Sequence, residues 1–176
     1  MSDNFKGHLI LSGSTYSGKS FLLKKIIKDV SAELGKEEKI FVLDKFSNGS
    51  DWDCDFHTRD PAEFIAYCRA NESVWMVIDE GGSSLDKYDD DFNWLGTESR
   101  HWGHKLCLAT QRAQQIAPAI REQCSQLYCF NIASKAAKVW AEEMNEPDLQ
   151  KAADLPQYEF LFKERFQPLI RGKFEM

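Results

Sequence analysis

One segment narrows the folds open to this sequence more than any other: Gly13-Ser14-Thr15-Tyr16-Ser17-Gly18-Lys19-Ser20. It follows a short apolar run, His8-Leu9-Ile10-Leu11-Ser12, which reads as a buried strand closing on a turn. Beyond it, Leu23, Ile26, Ile27, Val30 and Leu34 recur at spacings of three and four, which puts them on one helical face. Lys24, Lys25, Lys28 and Glu33 fall off that face, and Gly35 is a stop signal. Strand, G-x-x-x-x-G-K-S loop and helix, in that order, match the Walker A pattern in full. The chemistry requires these residue types. Gly13 and Gly18 permit backbone turns that bring several N–H groups close to phosphate oxygens. A helix beginning at Lys19 adds the positive end of its dipole. Lys19 can reach the β- and γ-phosphates of a nucleoside triphosphate, and the Ser20 hydroxyl suits a Mg2+ ligand. Ser14, Thr15, Tyr16 and Ser17 fill the loop. ATP and Mg2+ are therefore the expected ligands. The competing reading, a chance Gly/Ser loop capping a helix, does not account for the strand and amphipathic helix on either side.

The remaining pattern alternates strands with helices. Residues 39–43 read as a second buried strand ending at Asp44, and 48–60 as an irregular acidic excursion. Pro61 suits the first position of a helix reaching about Ala70, with Asp60 as its cap. Val74-Trp75-Met76-Val77-Ile78 is the continuous apolar run of a central parallel strand. A loop over 81–91, a short helix over 91–101 and a strand over 105–109 follow. Then come a helix over 118–123, a strand over 126–131 and a helix over 134–144 with Ser134 as its cap. Two final strands cover 158–162 and 168–171. This pattern predicts a single α/β domain over 1–176, a mainly parallel sheet flanked by helices, with antiparallel strands toward the C-terminus.

Asp79 and Glu80 close the 74–78 run at the position of a Walker B pair. At the C-terminal end of a parallel strand they face the crevice where the glycine-bearing loop also lies. Asp79 suits holding Mg2+. Glu80 suits orienting and deprotonating a water within hydrogen-bond reach. Two solvated acids opening a loop is the bland alternative; the upstream loop weighs against it, more for Asp79 than for Glu80. Gln111, after the 105–109 strand, can sense a γ-phosphate or place water. Equally, Gln111 and Arg112 can simply open the next loop.

Composition sets limits. The chain has 176 residues, of which 43% are hydrophobic, enough for a packed core and inconsistent with disorder. No run approaches the roughly 20 apolar residues of a membrane helix, and no signal-peptide pattern opens the chain, so a soluble protein is expected. Cys54, Cys68, Cys107, Cys124 and Cys129 lack metal-binding spacing and are odd in number, which fits buried thiols in a reducing compartment. The net charge of −6 argues against a broad external DNA-binding face, and confines any nucleic-acid contact to a local one. Of the tryptophans, Trp52, Trp75, Trp94, Trp102 and Trp140, more should pack the core or its rim than stack on a base.

The order of these segments carries a resemblance. The Walker A loop, the Asp79-Glu80 pair, Ser99-Arg100-His101-Trp102-Gly103, Leu108-Ala109-Thr110-Gln111-Arg112 and Ile120-Arg121-Glu122-Gln123-Cys124 resemble the FtsK/HerA superfamily. Within it the chain is most similar to the small genome-packaging ATPases of membrane-containing icosahedral double-stranded DNA viruses. The similarity runs from about His8 through Leu155-Pro156-Gln157-Tyr158-Glu159-Phe160-Leu161-Phe162. The resemblance implies a RecA/FtsK-like P-loop fold and a ring, usually hexameric, that pumps double-stranded DNA with ATP. It also implies capsid or portal-vertex partners and residence in the host-cell cytoplasm or the virion. Gln111 would be the sensor, and an arginine from the neighbouring subunit would complete the site. Arg100 is the first candidate for that arginine; Arg112 and Arg121 are others, for which an ordinary surface ion pair is as good a reading. Unlike the larger translocases, the chain shows no separate DNA-reading segment or basic tail, and 81–91 offers DNA only Lys87. A small P-loop phosphotransferase such as a nucleotide kinase, a conjugation or partition translocase, and a nucleotide-gated scaffold are the alternatives. The first lacks an Arg-rich lid, since 44–61 holds Arg59 alone, and Glu80 weighs against the last.

Overall fold

A computed structural model describes residues 7–35, 37–81 and 90–174. Eight strands form one sheet: β1 (His8–Ser12), β2 (Lys39–Leu43), β3 (Phe56–Thr58), β4 (Val74–Ile78), β5 (Lys105–Thr110), β6 (Cys124–Phe130), β7 (Glu159–Glu164) and β8 (Ile170–Lys173). Their order across the sheet is β3-β2-β4-β5-β1-β6-β7-β8. Every pair from β3 to β6 is parallel, and the pairs β6–β7 and β7–β8 are antiparallel. The expected fold class is thus the observed one. Among the described residues the helices include α1 (Lys19–Glu33), α2 (Pro61–Arg69), α3 (Asp90–Thr97), α4 (Pro118–Glu122) and α5 (Ser134–Glu143), with 3-10 turns at Ser99–Trp102, Ala113–Gln115 and Pro147–Asp154. Among the described residues no helix is long and apolar enough to cross a membrane.

The continuous apolar strands have a simple cause. Side chains alternate across a strand, and here both faces are covered, so both sets must be apolar. Leu9 and Leu11, Ile40 and Val42, Trp75 and Val77, and Cys107 and Ala109 join Leu23, Ile27 and Val30 of α1 in one cluster. Ile10, Phe41, Leu43, Met76, Ile78, Leu106 and Leu108 face the other way, into a larger core. There they meet Phe64 of α2, Phe92 of α3, Ile120 of α4 and Trp140 of α5. Burial pushes the thiols of Cys68, Cys107, Cys124 and Cys129 up to about 12, so they behave as inert apolar groups.

Several local expectations need correction. The excursion at 48–60 contains β3, which pairs in parallel with β2 at the sheet edge. Trp52 in the same segment is buried, its Nε1 donating to Asp44 Oδ2 at 3.0 Å. The helix expected over 91–101 divides into α3 and the Ser99–Trp102 turn, ended by Gly103 at φ 75°. Ser134 is not a cap: Ala133 occupies that position, and no side chain caps α5. Residues 82–89 of the expected 81–91 loop, Lys87 included, lie outside the described residues.

Parallel strands send their C-terminal ends to one edge of a sheet. Gly13, Asp44, Asp79, Gln111 and Asn131, each directly following a strand, consequently gather along that edge.

Candidate active site

The segment 13–20 is pinned between its neighbours by backbone bonds. Gly13 N–H donates to Thr110 O at 3.1 Å, and Ser14 N–H donates to Asn131 O at 2.7 Å, tying the loop to the ends of β5 and β6. Gly13 is needed for that approach, since a Cβ there would lie 2.7 Å from both Phe130 Cβ and Ser17 Oγ. Gly18, at φ 104°, leads into α1 in a conformation that favours glycine. No side chain caps the start of α1, which leaves its first N–H groups available to an anion.

Lys19 is only 4% exposed and folds back across the loop, its Nζ donating to Ser14 O at 2.9 Å. Burial lowers its pKa, while the Glu80 and Asp79 carboxylates pull it the other way. The Ser20 hydroxyl donates to Asp79 Oδ1 at 3.0 Å, and the Glu80 N–H donates to the same oxygen at 3.1 Å. Asp79 is 6% exposed. Loss of solvation is the main cause of its raised pKa; the charges of Asp44 and Glu80 add to it, and the Ser20 hydrogen bond opposes it. Gln111 Nε2 donates to Glu80 Oε2 at 2.9 Å. Glu80 itself sits at φ 55°, a left-handed conformation that a non-glycine residue adopts only when its surroundings enforce it. A cleft of about 280 Å³ lies over these groups, lined by Thr15, Tyr16, Lys19, Ser20, Phe21 and Glu80.

The structure therefore brings Lys19, Ser20, Asp79, Glu80 and Gln111 together from three segments far apart in the chain. A hydroxyl and a carboxylate converging at one point are hard oxygen donors of the kind Mg2+ takes. A buried carboxylate whose charge is disfavoured gains most from such a cation. Beside them, Glu80 and Gln111 provide an acceptor and a donor for a water molecule.

Arg100 is not part of this cluster. It lies at the opposite edge of the sheet, where Ser73 N–H donates to Trp102 O at 2.9 Å and His8 Nε2 meets Gly96 O at 2.8 Å. Its Nη1 donates to Gln123 Oε1 at 2.8 Å on an exposed surface. The five residues of β1 put the two edges roughly 16 Å apart. Arg121 is held within its own chain, donating to Glu143 Oε1 at 2.9 Å, Ala113 O at 3.2 Å and Ile116 O at 2.6 Å. Arg112 is exposed beside Gln111, at the start of the Ala113–Gln115 turn.

Two features at this edge escaped the sequence reading. Asp44 follows β2 as Asp79 follows β4, the same signal, and its charge bears on Asp79. At the far side of the loop, Gln157 Nε2 donates to Tyr16 O at 3.1 Å and Phe174 stacks on Phe21. No spacing in the sequence brings residues 157 and 174 to residue 16, because the juxtaposition comes from strand order.

No protein-family model matches the sequence, and neither does any curated protein. Solved structures do resemble the fold. The genome-packaging NTPase B204 of Sulfolobus turreted icosahedral virus 2, in complex with ATP-gammaS, superposes with a TM-score of 0.79 at 18% identity, covering 98% of this chain and 100% of that one. The cytoplasmic domain of the type VII secretion ATPase EccC of Thermomonospora curvata gives a TM-score of 0.68 at 19% identity, over 96% of this chain and 25% of that one. The N-terminal domain of zonular occludens toxin from Neisseria meningitidis gives 0.53 at 16% identity, over 70% and 76% of the two chains. At these identities the likeness is one of fold, and the fold is that of P-loop ATPases.

Proposed function

We propose that this chain is a Mg2+-dependent ATPase, one domain per subunit of a ring, that translocates double-stranded DNA to fill a viral capsid. The observation that carries the ATPase reading is the connected set Ser20–Asp79–Glu80–Gln111, assembled from α1, the end of β4 and the end of β5. Residues 13–20 hold the phosphates through backbone N–H groups, and Lys19 leaves Ser14 O to neutralise charge on the β- and γ-phosphates. Ser20 and Asp79 would hold Mg2+, which would supply positive charge to offset that of the phosphates. Glu80 accepts the proton of a water whose oxygen attacks the γ-phosphorus, while Gln111 fixes the carboxylate and the water in line. The bond from γ-phosphorus to the bridging oxygen breaks, leaving ADP and phosphate.

The motor reading draws on the fold. A viral genome-packaging NTPase superposes over 98% of this chain and 100% of its own. Arg100 suits donation in trans, because its exposed position at the far edge keeps it from its own site and offers it to a neighbour's. The nucleotide-kinase alternative loses support, since the segment that would serve as a lid is held down by β3 pairing and the Trp52–Asp44 bond.

ATP turnover with and without double-stranded DNA, alongside mass by light scattering, tests the reading. We expect an oligomer whose turnover rises with DNA. DNA-independent turnover by a strict monomer would overturn the motor, and absence of Mg2+-dependent phosphate release would overturn the ATPase. Mixing inactive Lys19→Ala and Arg100→Ala subunits should restore turnover if Arg100 acts across the interface; mixtures as inactive as their parts would exclude it.

A further inference from the structure

Strand order fixes the direction in which a nucleotide can lie. Asp79, Glu80 and Gln111 stand at the ends of β4 and β5, on one side of the loop that follows β1, and β6, β7 and β8 lie on the other. A triphosphate whose last phosphate meets Glu80 and Gln111 must extend its nucleoside toward the C-terminal strands. That side is aromatic. Tyr16, at the loop tip, is 86% exposed, and Phe21, in the first turn of α1, is 43% exposed. Phe21 stacks with Phe174 just beyond β8, with ring centroids 5.3 Å apart and planes within 15°. Phe174 is braced in turn by Tyr158 at 5.6 Å and Phe130 at 6.0 Å. Its place depends on Gly18, where a Cβ would lie 2.2 Å from Phe174 Cζ. Gln157 holds the loop tip through Tyr16 O. Large apolar rings left open to water beside a phosphate loop, on the side where the nucleoside must emerge, are what a flat ligand would cover.

We propose that Tyr16, Phe21 and Phe174 form a nucleobase platform, and that the site takes nucleoside triphosphates by stacking, with little discrimination between adenine and guanine. The rings offer faces, and stacking on faces tolerates any base, whereas discrimination needs groups that reach the base edges. The side-chain amides of Gln157 and Asn131 on this side donate to the backbone, Gln157 to Tyr16 O and Asn131 to Ala153 O and Leu155 O. The proposal rests on the reading of 13–20 as a phosphate site.

The test measures binding of ATP, GTP and inorganic tripolyphosphate to the wild type and to Tyr16→Ala, Phe174→Ala and Phe174→Leu, with Lys19→Ala as control. Phe174→Leu keeps apolar contact with Gly18 but removes the ring, so it separates stacking from packing. We expect wild-type affinities for ATP and GTP within about fivefold of each other. Tyr16→Ala and both Phe174 variants should bind either nucleotide about tenfold more weakly and tripolyphosphate as the wild type does. Unchanged nucleotide affinity in variants that melt like the wild type would overturn the platform. So would a wild-type preference above about a hundredfold for one purine, which takes edge hydrogen bonds. Undiminished tripolyphosphate binding by Lys19→Ala would instead remove the phosphate site, and the platform with it.

Discussion

Asp79 has surroundings that oppose the charge it carries. Burial and the neighbouring Asp44 and Glu80 charges raise its pKa, so the folded chain holds that proton more readily than the unfolded one. For a raised carboxyl, the stability it contributes is present at low pH and lost as pH rises through the folded pKa, so at neutral pH the charge opposes folding. The Ser20 hydroxyl and the Glu80 N–H donate to Oδ1, which an asparagine oxygen can replace. Asp79→Asn should therefore melt several degrees higher than the wild type in nucleotide-free buffer, and show no measurable turnover. Glu80 makes a similar bargain through its backbone. Relieving φ 55° in Glu80→Gly should stabilise the chain by about 1 kcal/mol relative to Glu80→Ala, read from denaturant midpoints. Glu80→Gln should bind ATP normally and hydrolyse it about a hundredfold to ten-thousandfold more slowly in single-turnover assays. These positions were legible in the sequence because each follows a strand or sits in a fixed-spacing loop. Asp44 carries the same signal, whereas Phe174 carries none.

At the level of elements, the strands and long helices were readable because periodicity records which faces are covered. What escaped was structure whose cause lies elsewhere in the chain. β3 is three residues long and exists only because the edge of β2 is free to pair. The Pro147–Asp154 turn buries Leu149 and Ala152, a spacing of three too brief to register as a period. Where the cause is local, as at the start of α2, the reading succeeded: Asp60 accepts from Ala62 N–H at 2.9 Å, with Pro61 behind it. Asp60→Ala should cost about 1 kcal/mol in urea denaturation. Arg121 also acts at this scale. Its side chain joins α4 to α5 through Glu143 and caps two carbonyls, with only 12% of its surface exposed. Arg121→Ala should lower stability by about 2–3 kcal/mol, and Arg100→Ala, on the open surface, by far less. That contrast in melting temperature separates a structural arginine from one available to another subunit.

The molecule as a whole has two unlike edges. Opposite the 13–20 loop, His8 Nδ1 accepts from Leu106 N–H at 3.1 Å and His104 Nδ1 accepts from Val74 N–H at 3.0 Å. Neither ring can keep its acceptor once that nitrogen is protonated, and burial lowers both pKa values. The stability these rings contribute is thus fully present above about pH 6.5 and is lost as pH falls below it toward the folded values. Thermal melts from pH 7.5 to 5 should show that decline, and His8→Gln, whose amide oxygen can still accept, should flatten it. The sheet order has a consequence in time as well as in space. β1 is made first yet lies between β5 and β6, and its loop is held by the carbonyls of Thr110 and Asn131. A nascent chain made only as far as residue 100 carries the sequence of the 13–20 loop without the carbonyls that hold its geometry. On the proposed function, competence to bind nucleotide would then arrive only after β6 is made, and on refolding it should return only with the slowest phase, after the long-range pairing of β1.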